Sequence, residues 1–259
     1  MTTKLTDYAK ELFQAEEKMT EVKALTDRDD TLTVEDAYNI QLETVKLKEN
    51  QGKKVIGKKV GLTSKAMQEM LEVDEPDYGH LFDDMYVDHA GIIDTKTMIA
   101  PRVEAEIGFM LNKDLVGPNI TFLDVIMATD YVVPTLEIID SRIADWKIKL
   151  IDTVADNGSS AKVVIGDKKK TLDEVNLRTN GMTLIKNNDI IATGAGSAAL
   201  GHPAEAIAWL ANKLSDFGIT LKKGELILPG ALSGAVSVEA GDGIEADFGE
   251  LGKVSVSFK

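Results

Sequence analysis

Three carboxylates set in two apolar stretches are the most chemically loaded feature of this sequence. In Pro101-Arg-Val-Glu-Ala-Glu-Ile-Gly-Phe-Met-Leu111, the residues Val103, Ala105, Ile107, Phe109 and Leu111 alternate with Arg102, Glu104, Glu106 and Gly108, which is the period of a strand. Successive strand side chains leave on opposite faces, so Glu104 and Glu106 share one face. Two carboxylates side by side in an apolar strand repel and are poorly hydrated unless a cation sits between them. Taken alone, a half-exposed strand with a wet acidic face accounts for the spacing equally well. Glu137 shifts the balance. It lies inside the β-branched run Tyr131–Ile139, flanked by Leu136 and Ile138, where an ionised carboxylate needs a partner. Three acids in two apolar strands favour a metal site with oxygen ligands.

Other candidate groups have two readings each. Lys58 and Lys59 fall in Lys54-Val-Ile-Gly-Lys-Lys-Val-Gly-Leu62, a strand interrupted by glycine. Alternation sends one of them toward the apolar side, where it either snorkels or is held near carboxylates as a working charge. Asp74–Asp84, with Asp77 and His80, reads as a loop dense in turn formers. Acidic turn residues commonly satisfy backbone donors, and an exposed loop histidine commonly does no chemistry. Asp152–Ala161, with Asp156 and Ser160, reads as a polar loop that is either an ordinary turn or a source of donors to an anion. The glycines of Thr193–Gly201 lack both the lysine and the spacing of a phosphate loop, so no nucleotide site is expected there.

Positioning these groups calls for a β-rich body. Helical spacing covers residues 4–19, and a second helix runs from the N-cap Thr33, with Asp36 three residues on, to about Asn50. Short helices are expected over Lys65–Leu71 and Phe122–Asp130, and a longer one from Pro203 to the glycine stop at Gly218. Strands are expected at 225–228, 235–239, 243–248 and 253–258, without the strand-helix alternation of a doubly wound sheet. The fold class is therefore α+β, with residues 1–52 as an N-terminal helical cap on a body of residues 53–259. The net charge of −14 disfavours nucleic acid and anionic membrane as partners. The chain has no cysteine, which excludes disulfides, thiolate nucleophiles and zinc-thiolate sites. Met1–Tyr8 has no apolar signal core and no run reaches the length of a membrane span, so a cytoplasmic protein is expected.

Taken together, Gly57–Thr63, Pro76-Asp-Tyr-Gly79, Arg102-Val-Glu-Ala-Glu106, Leu136–Arg142, Val154-Ala-Asp-Asn157 and Leu200-Gly-His-Pro203 resemble the hydratase/decarboxylase branch of the fumarylacetoacetate hydrolase superfamily. The resemblance spans almost the whole chain, with the motifs in the same order. It implies a mixed β-roll body, a divalent cation (usually Mg2+, with Mn2+ possible) and a homo-oligomer. It further implies metal ligation by Glu104, Glu106 and Glu137, an active-site lysine at Lys59, and an Asp/Ser-bearing loop at Asp156 and Ser160.

The activity implied is hydration of 2-hydroxypenta-2,4-dienoate to 4-hydroxy-2-oxopentanoate. Asp77 favours hydration, because adding water needs a proton donor and acceptor where the related decarboxylases carry an apolar residue. Against that, Leu115–Pro118, Val175–Thr179 and Gly194–Gly196 look more like 4-oxalocrotonate decarboxylase. Pro76–Met85 is also shared with 2-oxohept-3-enedioate hydratase. A hydrolase of acylpyruvates would need a water-activating His–Glu pair, for which His80 is the available histidine. A non-enzymatic protein binding metal or 2-oxo acids is the reading from another class.

Overall fold

The computed structural model of the chain describes residues 3–70 and 73–259. Two N-terminal helices, α1 (Thr3–Lys18) and α2 (Val34–Asn50), pack against each other. Thr33 and Asp36 form the expected capping box at the start of α2, with Asp36 N donating to Thr33 Oγ1 at 3.1 Å and Thr33 N to Asp36 Oδ2 at 3.0 Å. Strand β1 (Val55–Gly61) and short helix α3 (Lys65–Met70) follow; the expected helix end at Leu71 lies outside the described residues.

The next segment departs from the sequence expectation. Residues 77–82, expected as loop, form β2 (Asp77–Phe82), every residue of which is buried. Its Gly and His lower strand propensity, but pairing with β1 on one side and cover from α2 outweigh that preference. After β3 (Tyr86–Asp88) and β4 (Gly91–Ile93) come the two long strands, β5 (Arg102–Leu111) and β6 (Thr129–Ile139), separated by α4 (Phe122–Ala128), which ends two residues earlier than expected.

Asp152–Ala161 is not a loop either. It contributes most of α5 (Leu150–Ala155), a tight turn at Asn157–Ser159 and the start of β7 (Ser160–Ile165). Asp152 is the reason for the helix: its carboxylate accepts from Lys149 N at 3.0 Å and, across the chain, from Thr26 N and Oγ1 at 3.1 and 2.7 Å. The chain then runs through the hairpin β8 (Gly181–Lys186) and β9 (Asp189–Ala195), helix α6 (Pro203–Ser215), and strands β10 (Leu226–Leu228), β11 (Val236–Ser237), β12 (Gly243–Asp247) and β13 (Lys253–Phe258). His202 caps α6, its Nδ1 accepting from Ala204 N at 3.1 Å.

The strands form two sheets, one ordered β2-β1-β10-β5-β6-β7-β3 with β11 also on β5, the other β4-β13-β12-β8-β9. Most pairings are antiparallel, but β1–β10, β3–β7 and β4–β13 are parallel. The α+β expectation and the helical N-terminal region hold. On β5, Val103, Ala105, Ile107, Phe109 and Leu111 are buried in the core, as their alternation requires. The β1–β10 pairing is close: a Cβ on Gly57 would lie 2.0 Å from Leu226 O. No helix among the described residues is long and apolar enough to cross a membrane.

Candidate active site

Strand register converts sequence spacing into a cluster. On the antiparallel pair β5–β6, Glu104 stands directly opposite Glu137, and Glu106 opposite Thr135. Directly paired side chains share a face, and the diagonal neighbour is within reach of a long side chain, so Glu104, Glu106 and Glu137 converge. Each offers a carboxylate oxygen within 4.8 Å of the others. Glu106 and Glu137 are 1% and 0% exposed, while Glu104 keeps one side open to a cavity of about 510 Å³.

The cluster is electrostatically incomplete. Glu106 Oε2 accepts from Gly230 N at 2.7 Å, but Glu106 Oε1 and both oxygens of Glu137 have no hydrogen-bond partner among the described residues. Burial, then the charge of Glu137, pushes the Glu104 carboxyl up to about 7, with Lys59 pulling the other way. The same causes raise Glu106 well above the usual glutamate range, against the Gly230 N–H. Burial also raises Glu137, opposed by Lys59 and by the Ser160 hydroxyl, which favours the charged form although it makes no hydrogen bond of good geometry. Orphaned carboxylate oxygens crowded in a dry site fit a hard divalent cation, which takes oxygen ligands and removes the mutual repulsion.

Lys59 supplies the one ammonium at the cluster among the described residues, its Nζ 3.8 Å from Glu137 Oε2. Burial works to neutralise it, but Glu137, Asp77, Glu104 and Glu106 together outweigh burial and raise its pKa, so it stays charged. Lys58 faces the other way and pairs with Glu225 at 2.7 Å, so neither lysine snorkels. Asp77, at the start of β2, lines the cavity; Thr153 Oγ1 on α5 donates to its Oδ2 at 3.1 Å, and its Oδ1 is buried without a partner among the described residues. Gly61 makes room for both groups, since a Cβ there would lie 2.2 Å from Asp77 Oδ1 and 3.0 Å from Lys59 Nζ.

The remaining candidates sit differently. Asp156 does not line the cavity. Its carboxylate accepts from Arg142 Nε at 2.6 Å and Arg142 N at 3.0 Å, and burial raises it to about 6 against the pull of that guanidinium. It shapes the 156–160 turn and does not face the pocket. Ser159 lines the cavity, whereas Ser160 points its unpartnered hydroxyl toward Glu137. His80 is neither exposed nor at the pocket mouth: it is 3% exposed, its Nδ1 lies 3.0 Å from Gln41 Oε1, and burial, with Lys58, lowers it to about 3. None of the three histidines lines the cavity, so the His–Glu pair of a hydrolase is missing from it.

Three contributors escaped the sequence reading. Thr153 gave no signal, because its partner lies 76 residues away. Arg102 shares the Glu104 face by simple alternation, lines the cavity, and lies 4.1 Å over the Trp146 ring with no hydrogen bond or ion pair from its guanidinium among the described residues. Gly230, at φ +118°, presents its N–H to Glu106 from the turn after β10. A second depression, about 690 Å³ and lined by residues such as Asn176, Asn180 and Glu250, contains none of these groups.

Comparison with known proteins agrees with this fold. The family described as Fumarylacetoacetate (FAA) hydrolase C-terminal matches residues 54–259. The chain is 46% identical over 249 residues to the 2-hydroxyhexa-2,4-dienoate hydratase of Comamonas testosteroni, covering 95% of this chain and 94% of that one. It is 47% identical over 218 residues to the 2-hydroxypent-2,4-dienoate hydratase of Pseudomonas putida, covering 84% and 98%. The structure of 4-oxalocrotonate decarboxylase from Pseudomonas putida G7, complexed with magnesium and adipate, superposes with a TM-score of 0.98 at 38% identity, over 100% of this chain and 99% of that one. By family match, by identity along nearly its whole length and by fold, the chain belongs to the fumarylacetoacetate hydrolase family, in the branch of its hydratases and decarboxylases.

Proposed function

We propose that this protein is a hydro-lyase that adds water to 2-hydroxypenta-2,4-dienoate, giving 4-hydroxy-2-oxopentanoate, with a divalent cation as cofactor. The observation that carries the reading is the convergence of Glu104, Glu106 and Glu137, with buried oxygens left unpaired, on a cavity that also holds Lys59 and Asp77. Those three carboxylates would hold the cation, Mg2+ by preference and Mn2+ as the alternative, which would supply Lewis acidity toward a 2-oxo acid.

The side chains of this chain do the rest. Lys59, kept charged by the carboxylates around it, neutralises the negative charge that develops on the 2-oxygen as the dienol gives up its proton to Asp77. Asp77, held by Thr153, takes that proton on its other oxygen and delivers it to C5, which converts the dienol to an α,β-unsaturated ketone. The same carboxylate then takes a proton from water as the water oxygen bonds to C4, and returns that proton to C3 as the C3–C4 double bond is consumed, which regenerates the carboxylate. The net change is one water added across the substrate. Arg102, on Trp146, offers a planar fork of donors to an anionic part of the ligand. Asp156 and Ser160 orient the pocket indirectly, through the Arg142-anchored turn and through Glu137.

Decarboxylation of 4-oxalocrotonate on the same scaffold is the second reading. It would use the same electron sink, with loss of CO2 in place of protonation and hydration. The buried, Thr153-bonded Asp77 favours hydration, because a proton relay has no part in releasing CO2. Homo-oligomers and a cytoplasmic setting are proposed with the activity. Product analysis with 2-hydroxypenta-2,4-dienoate and with 4-oxalocrotonate, each with and without Mg2+ or Mn2+, decides the matter. A cation-dependent hydrated product supports the proposal, and CO2 release without hydration replaces it with the second reading. No turnover of either compound by cation-loaded protein returns the chain to the non-enzymatic alternative.

A further inference from the structure

Gln41 lies on α2, outside the cavity and 0% exposed. Its Nε2 donates to Tyr78 O and to Val154 O, both at 2.8 Å, and its Oε1 lies 3.0 Å from His80 Nδ1. With both amide hydrogens committed to carbonyls, Oε1 is the acceptor and neutral His80 carries its proton on Nδ1. The two carbonyls are not arbitrary. Tyr78 follows Asp77 and Val154 follows Thr153, so one amide bridges the backbone on either side of the Asp77–Thr153 hydrogen bond.

The same network reaches Lys59. Asn157 Oδ1 accepts from His80 N at 2.7 Å and Asn157 Nδ2 donates to His80 O at 2.9 Å, which ties β2 to the turn containing Gly158. That turn packs on the lysine, since a Cβ on Gly158 would lie 3.0 Å from Lys59 Nζ. Three residues before Gln41, the Tyr38 ring stacks on Tyr78 at 4.4 Å and holds the helix in register with β2.

We infer that Gln41 is a positioning residue for the reaction: from the N-terminal helix it fixes the spacing of β2 and α5, and with it the orientation of the Asp77 carboxylate by Thr153. The inference rests on the role proposed for Asp77. It also gives helix α2 a positioning role through this one side chain, beyond covering the core. A buried amide with all three of its hydrogen bonds satisfied is a rigid cross-link, and replacing it with an apolar side chain leaves two buried carbonyls without donors.

The test compares Gln41→Met with Val45→Ala, a core truncation on the same helix that leaves the amide in place, in cation-loaded full-length protein. For Gln41→Met, kcat with 2-hydroxypenta-2,4-dienoate falls roughly tenfold to a hundredfold while KM stays within about twofold, because the reacting groups shift and the ligand-binding groups do not. Val45→Ala loses melting temperature and keeps kcat. The double variant Gln41→Met/Thr153→Val is no slower than the slower single variant, since both changes break one linkage. Gln41→Glu, which when protonated keeps one donor, is the second probe should Gln41→Met not fold; it shows an intermediate kcat.

Hydrogen–deuterium exchange reads the same cross-link without turnover. Segments 77–82 and 150–156 exchange faster in Gln41→Met, or in Gln41→Glu, than in Val45→Ala. Unchanged exchange there, a retained kcat, or single effects that multiply in the double variant overturns the inference. Failure of the wild type to turn over any dienoate overturns the proposed function instead and leaves the exchange result to decide the positioning role.

Discussion

Stripping divalent cations from this protein should cost it more stability the further pH rises through neutrality. Glu104 is raised from 4.5 to about 7 by burial and then by Glu137. A carboxyl whose folded pKa lies above its unfolded value binds its proton longer in the native state. Its contribution therefore favours folding below about pH 4.5 and is lost as pH climbs from 4.5 to about 7. The full span corresponds to about 3 kcal/mol, and the open side of Glu104 toward cavity water reduces that to about 2 kcal/mol. For a chain of this size the loss appears as a Tm gap between loaded and stripped protein that widens by roughly 4–8 °C from pH 5 to pH 8. Glu106 and Glu137 act in the same direction.

A cation present at a hundredfold its Kd restores about 2.7 kcal/mol, and restores most at high pH, where no proton competes with it. Asp156, raised to about 6, adds a falling slope and His80, lowered to about 3, a rising one up to about pH 6.5; no cation reverses either, so the difference between stripped and loaded protein isolates the cluster. Asp29 and Glu174, lowered to about 2 by their hydrogen bonds, lose their contributions only as pH falls below about 4, outside the window. Scanning calorimetry of chelator-treated protein from pH 5 to 8, with and without Mg2+ or Mn2+, is the assay, with Glu137→Gln as control. A Tm gap between loaded and stripped protein that stays flat or narrows as pH rises refutes the reasoning, as does a cation shift equally large in Glu137→Gln.

Three further outcomes follow from the site. Asp77→Asn keeps the hydrogen bond from Thr153 but cannot exchange protons, so kcat for hydration should fall about a hundredfold or more with KM little changed; wild-type kcat would remove Asp77 from the mechanism. Gly61→Ala places a methyl against Asp77 Oδ1 and near Lys59 Nζ. Steady-state kinetics should show most activity lost while calorimetric titration shows cation binding retained, and normal turnover would mean the cavity floor is looser than the distances imply. Arg102→Gln removes the unpaired guanidinium on Trp146 and should raise KM about tenfold with kcat largely kept; an unchanged KM would leave that cation without a role in ligand binding.

The site was legible in the sequence wherever chemistry followed local period. Alternation put Glu104 and Glu106 on one face, and the apolar frame around Glu137 announced a carboxylate in need of company; strand register then completed the cluster. What stayed hidden depended on partners distant in the chain. Asp77–Phe82 has the composition of a turn and becomes a buried strand because Gln41, 37 residues from Tyr78, and β1 satisfy it. Asp156 looked available to a ligand because nothing in the spacing reveals that Arg142 would bend back onto it. His80 was misjudged for the same reason, its burial being a property of the α2–β2 contact and not of its neighbours in sequence.

The tight apposition of Gly57 and Leu226 bears on how two adjacent lysines come to serve unrelated neighbours. Were β1 to slide along β10 by one residue, Ile56 or Lys58 would have to occupy a spot where even a methyl carbon meets the Leu226 carbonyl. Backbone sterics therefore veto mispairing. The sorting of one ammonium toward Glu225 and the other toward the acid cluster is thus proofread by a missing side chain, and the charges themselves need not discriminate between destinations.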